Sequence, residues 1–308
     1  MSGSQAYSGR IDYQIQTTAS DGRFSPRECV RMAQENGVTS IAITDHDTIG
    51  GVKEALEAGK EFGIEVIPGI ELSCDHENHG IHILGLGIDY HNEALLEKLH
   101  VLQNEREHRA KLIIEKLRQF GFAVDFEEVK RRAEGVVARP HIAEAVLENP
   151  LNEGKLSSEG IATRQDFFAK YIADGAKAYV HGVPLFVADG ILLIHEARGI
   201  AIWSHPTVPM RDYKLVEETL LQFLGWQMDG LEVIGNFSED DTEFLQTLAA
   251  KYQLLRSAGS DFHDTYTDPQ KPEEGAARIG GHKTFGYSIE GVRESLLAAI
   301  EKRHAVVK

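Results

Sequence analysis

At 308 residues and 34.2 kDa the chain exceeds one small core and falls short of three domains, so one large domain, or one domain carrying an insertion, is expected. Apolar residues at 42% and charged residues at 26% fit a soluble chain with a sizeable core, and no apolar run approaches the ~18 residues of a membrane span. With 32 basic and 48 acidic residues the net charge is −16, which opposes general binding of nucleic acid and leaves any phosphate to be attracted locally, by metal cations or a few arginines.

Met1–Gly9 is small and polar and offers no apolar stretch for a signal peptide. Ile11–Ile15 reads as a strand ending in the turn-like Thr18-Ala-Ser-Asp-Gly22. Ser25, Pro26 and Glu28 supply an N-cap, a first-turn proline and a capping-box acid for a helix to Asn36, which Gly37 closes. Val38–Thr44 is a β-branched strand leading into Asp45-His-Asp47. A helix follows over Gly51–Phe62, then extended pieces at Glu65–Pro68, Ile70–Leu72 and Gly80–Ile88. From Asn92 to Phe120 leucines and isoleucines recur every three or four residues, a long helix ended by Gly121. More helix runs through Leu147, and Glu148–Gly160 reads as a loop rich in Gly, Ser and Asn.

Strands resume at Gly199–Trp203, Leu231–Ile234 and Leu254–Ala258. Ser238 and Asp241 cap a helix to Gln253, and a final helix covers Ser288–His304. Alternating strands and helices argue for a mainly parallel sheet or barrel of βα units. We divide the chain into barrel segments 10–91 and 181–308 around a helical insertion, 92–180. Val101–Pro150 holds nine basic and nine acidic residues, so the insertion is the surface least hostile to an anionic substrate.

The chemistry-bearing residues fall at strand ends. Asp21 follows the first strand and His46 the second. Glu71 and His82 lie in the next extended segments, His205 follows Trp203, and Asp261 and His263 follow the last strand. In a βα barrel the C-terminal strand ends converge on one face, so these residues would meet in one cleft. Taken singly, each histidine reads as a hydrogen-bonded structural residue, and the Thr-Asp and Ser-Asp pairs as caps or turns. That reading must be repeated at five or six strand ends, always with metal-ligand residue types, and a metal site explains them together. Only two cysteines occur, which excludes a disulfide framework or cysteine-rich zinc module and fits a reducing cytoplasm; Cys74 reads as a small buried residue.

Seven runs carry a resemblance to a known family: Ile11-Asp-Tyr-Gln-Ile-Gln-Thr-Thr-Ala-Ser-Asp-Gly22, Ile43-Thr-Asp-His-Asp47, Pro68-Gly-Ile-Glu71, Ile81-His-Ile-Leu-Gly85, Ala138-Arg-Pro-His-Ile-Ala143, Trp203-Ser-His-Pro206 and Gly259-Ser-Asp-Phe-His263. In order and across nearly the whole chain, they resemble the polymerase-and-histidinol-phosphatase (PHP) family of metal-dependent phosphoesterases. The most similar branch dephosphorylates nucleoside 3′,5′-bisphosphates and trims short RNA from the 5′ end. The resemblance implies an α/β fold, a distorted barrel of seven βα units with a helical insertion domain. It also implies two or three divalent ions (Mn, Zn or Fe) that activate water. One would take Asp21, His46 and His263; a second Glu71, His82 and His205; a third Glu71, Asp261 and a His-x-His pair.

At that pair the chain has Gln14 and Gln16. Both amides should still point into the site, since alternate residues of a strand share a face. A glutamine offers only a neutral oxygen, so the third ion's affinity should fall. Arg139-Pro-His141 could start a helix, with Pro140 in its first turn. In the resembling branch this motif reaches over the metals from the insertion; a planar guanidinium suits a pair of phosphate oxygens, so Arg139 is read as a phosphate contact and His141 as proton donor or substrate contact. Arg106 and Arg109 lie three apart on the long helix and read as a solvated face.

Expected partners are a small phosphorylated substrate, a nucleotide or short RNA, with no duplex DNA, membrane or obligate protein partner. A degenerate fold that binds a nucleotide or partner without turnover is the alternative, motivated by Gln14 and Gln16. An amidohydrolase is a third reading, weakened because no lysine stands beside these runs. No Gly-x-Ser-x-Gly and no P-loop competes.

Overall fold

The computed structural model describes residues 10–133, 135–183, 185–265 and 277–305, so the polar start Met1–Gly9 lies outside them. The first half alternates as its sequence dictates: β1 (Arg10–Asp12), α1 (Pro26–Glu35), β2 (Val38–Ile43), α2 (Val52–Phe62), β3 (Glu65–His76) and β4 (His79–Leu86). Helix α1 starts where Ser25 accepts the N–H of Glu28 and Glu28 answers from its side chain, a reciprocal cap that satisfies two otherwise orphaned donors. Gly63 closes α2 at φ 71°, a left-handed turn that glycine adopts without steric cost.

The middle is helical: α3 (Glu93–Gln119), α4 (Phe126–Arg132), α5 (Arg139–Leu147), α6 (Glu153–Ser158) and α7 (Arg164–Phe167). The remainder is β5 (Leu185–Phe186), α8 (Val187–Glu196), β6 (Ile200–Ser204), α9 (Tyr213–Gly225), β7 (Gly230–Ile234), α10 (Glu239–Tyr252), β8 (Leu255–Ala258) and α11 (Val292–Ala305).

Seven strands run in the order β1-β2-β3-β4-β6-β7-β8, with β5 paired to β3 off this path. The ends meet: Tyr13 N–H donates to the Ala258 carbonyl at 2.9 Å, and Gln16 N–H to that of Phe262 at 2.9 Å, closing the sheet into a barrel. The distorted barrel and its mainly parallel pairing are therefore observed, with one strand reversed. β4 runs antiparallel to both β3 and β6. Alternation of side chains is identical in either direction, so the sequence pattern is blind to this reversal.

Other boundaries differ too. Glu65–Pro68 and Ile70–Leu72 belong to one 12-residue strand. The regular first strand is shorter than Ile11–Ile15, which rejoins the sheet through a bridge between Ile15 and Phe262. The last helix starts at Val292. The presumed loop Glu148–Gly160 contains a 3₁₀ turn (Pro150–Asn152) and α6, because Asn149 caps the turn by accepting the Leu151 N–H.

The main core packs β3, β4, β6 and β7 against α8, α9 and α11 around fully buried Trp203 and Phe223. Helix α3, about 40 Å long, spans two cores. Leu95, Leu99 and Leu102 join the barrel core, and Ala110, Ile113, Ile114 and Leu117 join a second core with α4, α5 and Phe167. The second core hangs on the barrel through one continuous helix, which carries it over the mouth. Among the described residues no helix is long and apolar enough to cross a membrane.

Candidate metal centre

The barrel brings His46, Glu71, His82 and His205 together. Glu71 lies mid-strand on β3, wholly buried, and His46 bridges to it from the loop after β2. His82 arrives by a route the sequence reading missed. An antiparallel strand begins where its parallel neighbours end, so β4 delivers His82 from near its start, paired in register with Ser204 beside His205.

His82 Nδ1 and His205 Nε2 are 3.1 Å apart and stand 3.1 and 3.3 Å from Glu71 Oε1. Ligands about 2.0–2.2 Å from a tetrahedral metal are separated by roughly 3.3–3.6 Å, close to this triangle. The second group is Asp21, His46 and His263, whose ligand atoms all fall within 4.8 Å of one another. His46 also falls within reach of Glu71 and His82, so it can serve either group.

The donor chemistry fits divalent ions. Asp21 Oδ1 and His46 Nδ1 are buried polar atoms with no hydrogen-bond partner among the described residues. Bare acceptors converging in a low-dielectric site are costly unless a cation joins them. His263 Nδ1 lies 2.8 Å from the Asp261 carbonyl, a contact that turns Nε2 toward Asp21, 3.6 Å away. The Asp261 carboxylate lies 3.8 Å from the same ring and belongs to neither compact group. Asp47, His205 and Asp261 all have positive φ without being glycine. Such residues cost about 1–3 kcal/mol each and concentrate at functional sites.

Gln14 and Gln16 reach the centre as expected, but with their nitrogens. Gln14 Nε2 donates to Glu71 Oε1 at 3.0 Å and to Ser204 Oγ at 2.7 Å; Gln16 Nε2 donates to Glu71 Oε2 at 2.5 Å. A carboxylate only accepts, so the amide nitrogens must face it. The third ion's position does not fit this chain: two N–H groups occupy the side of Glu71 where metal-binding imidazoles would stand.

Burial opposes the Glu71 charge, yet His46, His82 and His205 outweigh it and hold the carboxyl well below its usual range. Burial also dominates at His82 and lowers it. At His205 burial is overcome by the hydrogen bond and charge of Glu71, and the ring rises to about 9. His263 also reaches about 9, burial there being outweighed by Asp261 and Asp21. Burial pushes Glu232, whose Oε2 accepts the His205 N–H at 2.8 Å, up to about 8.

These rings make a pH prediction. With a folded value above the ordinary 6.5, each protonated ring stabilises the metal-free chain fully below pH 6.5, and the effect is lost as pH rises through about 9. Metal requires the neutral ring. Melts with and without chelator should therefore diverge between pH 6.5 and 9, metal-free stability falling and the metal-induced rise in Tm growing. A constant difference across that window would contradict ligation by His205 and His263.

Above the centre lies a cavity of about 260 Å³ lined by Asp21, His46 and His82 at its floor and by Arg106, Arg109 and Arg139 from the insertion. The solvated-face reading of Arg106 and Arg109 is thereby overturned. Helix α3 and the second core lie over the mouth, so that helix face looks into the cleft. Arg106 binds Asp47 and Ser73, and Arg109 Nε donates to the Val180 carbonyl at 2.7 Å. Arg139 Nη1 bonds Asp174 Oδ1 at 2.6 Å and the Ile172 carbonyl at 3.2 Å. Arg139 does open α5 with Pro140 in the first turn, and buried His141 accepts the Ala138 N–H at 3.1 Å through Nδ1. Cys74, buried as expected, also lines the cleft.

Residues 12–154 match the PHP domain family. A 5′-3′ exoribonuclease of Haemophilus influenzae is 36% identical over 255 residues, 82% of this chain and 90% of the relative. The chain belongs to the PHP family. It is a hydrolase, a metal-dependent phosphoesterase. A 3′,5′-nucleoside bisphosphate phosphatase of Chromobacterium violaceum is 30% identical to this PHP chain over 273 residues, 88% of this chain and 90% of that one. Two solved structures share the PHP architecture. One, from Chromobacterium violaceum, is described as an amidohydrolase with bound sulfate and no metal; it superposes with a TM-score of 0.81 at 28% identity over 94% of this chain and 96% of its own. The other, from Bifidobacterium adolescentis and described as a metal-dependent phosphoesterase, gives 0.78 at 27% identity over 96% and 98%.

Proposed function

We propose that this PHP enzyme removes phosphate from nucleotides, nucleoside 3′,5′-bisphosphates, mononucleotides or the 5′ ends of short RNA, at a centre of two divalent ions. The observation that carries the reading is the cleft itself: two groups of convergent nitrogen and oxygen ligands reach its floor through Asp21, His46 and His82, and three arginines stand on its wall. Asp21, His46 and His263 would hold one ion and Glu71, His82 and His205 the other. When bound, such ions lower the pKa of water toward about 7 and offset charge on phosphoryl oxygens. The donor set, imidazole and carboxylate without thiolate, suits Mn, Fe or Zn.

The chain's own residues do the rest. Arg139, charged at every working pH, meets phosphate oxygens from the insertion by exchanging its contact with Asp174, and Arg109 adds positive potential beside it. Burial lowers His141 while Asp21 pulls it the other way. With Nδ1 accepting the Ala138 N–H, the neutral ring keeps its proton on Nε2 and would serve as a substrate contact. Gln14 and Gln16 keep Glu71 fixed and charged. With the relatives named above, a nucleotide is the substrate class best supported.

The experiment is phosphate release with Mn²⁺ from 3′,5′-bisphosphates, mononucleotides and 5′-phosphorylated short RNA. Release above a metal-free control is expected. Measurable ligand binding with no release would favour the second reading, a binding protein left inert by Gln14 and Gln16. An amidohydrolase gains nothing from the cleft, whose described lining contains no lysine.

A further inference from the structure

Besides the apolar packing of α3 on the barrel, two sets of polar contacts tie the insertion to loops that carry ligands of one triad. The first centres on Asp47, next to His46. Asp47 is buried and held at φ 51°, a conformation that non-glycine residues rarely adopt. Every polar group on it is engaged. Its N–H donates to the Glu71 carbonyl at 2.9 Å, and its own carbonyl accepts Gln103 Nε2 at 3.0 Å. Its Oδ1 accepts the Ser73 N–H at 2.8 Å, and its Oδ2 accepts Arg106 Nε at 2.7 Å. Arg106 Nη2 reaches on to Ser73 Oγ at 2.7 Å. Gln103 and Arg106 are three apart on α3 and share a face, so the insertion's longest helix grips Asp47 with two side chains.

The second centres on Ala19, two residues before Asp21. Its carbonyl accepts the Val136 N–H at 2.9 Å from the segment leading into α5. A Cβ at neighbouring Gly135 would lie 2.0 Å from that same oxygen, so only glycine permits the approach.

We infer that the insertion is part of the metal centre's scaffold: through Arg106–Asp47 and Gly135–Ala19 it positions His46 and Asp21, and so sets affinity at the Asp21–His46–His263 site. Arg106, Asp47 and Gly135 are positioning residues in this account. Arginine suits the task because one planar fork serves Asp47 and Ser73 together, which a lysine ammonium does less well. The inference rests on reading Asp21, His46 and His263 as one metal site.

The test is a stepwise Mn²⁺ titration of the full chain against a competing chelator, with His263→Ala marking which step belongs to this triad. Arg106→Ala and Gly135→Ala should each weaken that step several-fold, less than the ~10–100-fold that follows loss of a group bonded directly to a ligand, and should weaken the other step less. Asp47→Asn, which keeps an acceptor and tolerates positive φ, should lose less than Asp47→Ala. Thermal melts run beside each titration separate positioning from folding. Both steps intact in Arg106→Ala and Gly135→Ala, or both weakened equally with a lowered Tm, would overturn the inference. Absence of any Mn²⁺ step in the unmodified chain would instead remove the metal reading on which it rests.

Discussion

Glu71→Gln is expected to abolish metal retention at the Glu71–His82–His205 site and to cut phosphate release by at least about 100-fold, since even an outer partner of a ligand commands 10–100-fold. Glu71 is the one anion shared by three imidazoles and two amides, and it is wholly buried. An amide in its place brings no charge to attract a cation. It also turns an N–H toward Gln14 or Gln16, both of which donate. A buried donor left facing a donor costs about 1–3 kcal/mol, so the metal-free variant should also melt earlier. Emission spectroscopy of bound metal, a phosphate assay and a melt check the three effects. Wild-type metal content in the variant would contradict the role given to Glu71.

The double change Gln14→His, Gln16→His should raise metal content from two ions per chain toward three and increase turnover. A bound ion is worth several kcal/mol of transition-state charge stabilisation, so an increase of about tenfold or more is expected where the missing ion limits the rate. The argument is geometric. Both glutamine nitrogens already touch Glu71, so imidazoles on the same two positions would present ring nitrogens where the amides now donate. Either single change leaves one amide N–H on Glu71 and should gain little. Unchanged metal content in the double variant would show that the glutamines are not what excludes the third ion.

Much of this was legible because it is local. The caps at Ser25 and Ser238 announce α1 and α10, and the ligand runs sit where strand patterns stop. What escaped is set by packing. Alternation in Gly80–Ile88 says strand but not direction, and direction decides how His82 reaches the mouth. Helix α8, apolar on nearly every side, has no polar stripe to reveal its period, and α9 was also passed over. Arg106 and Arg109 carry the polarity of any surface helix. Only the fold shows that their surface is the wall of a cleft. Asp47 stood in a quoted motif without a role, and nothing in its residue type foretold positive φ.

The most direct measurement is the count of divalent ions on purified chain after loading with Mn²⁺ and removal of the excess. The account predicts two per chain, falling to one in His263→Ala and in His205→Ala. Retention of none by the unmodified chain, or of two by both variants, would contradict it.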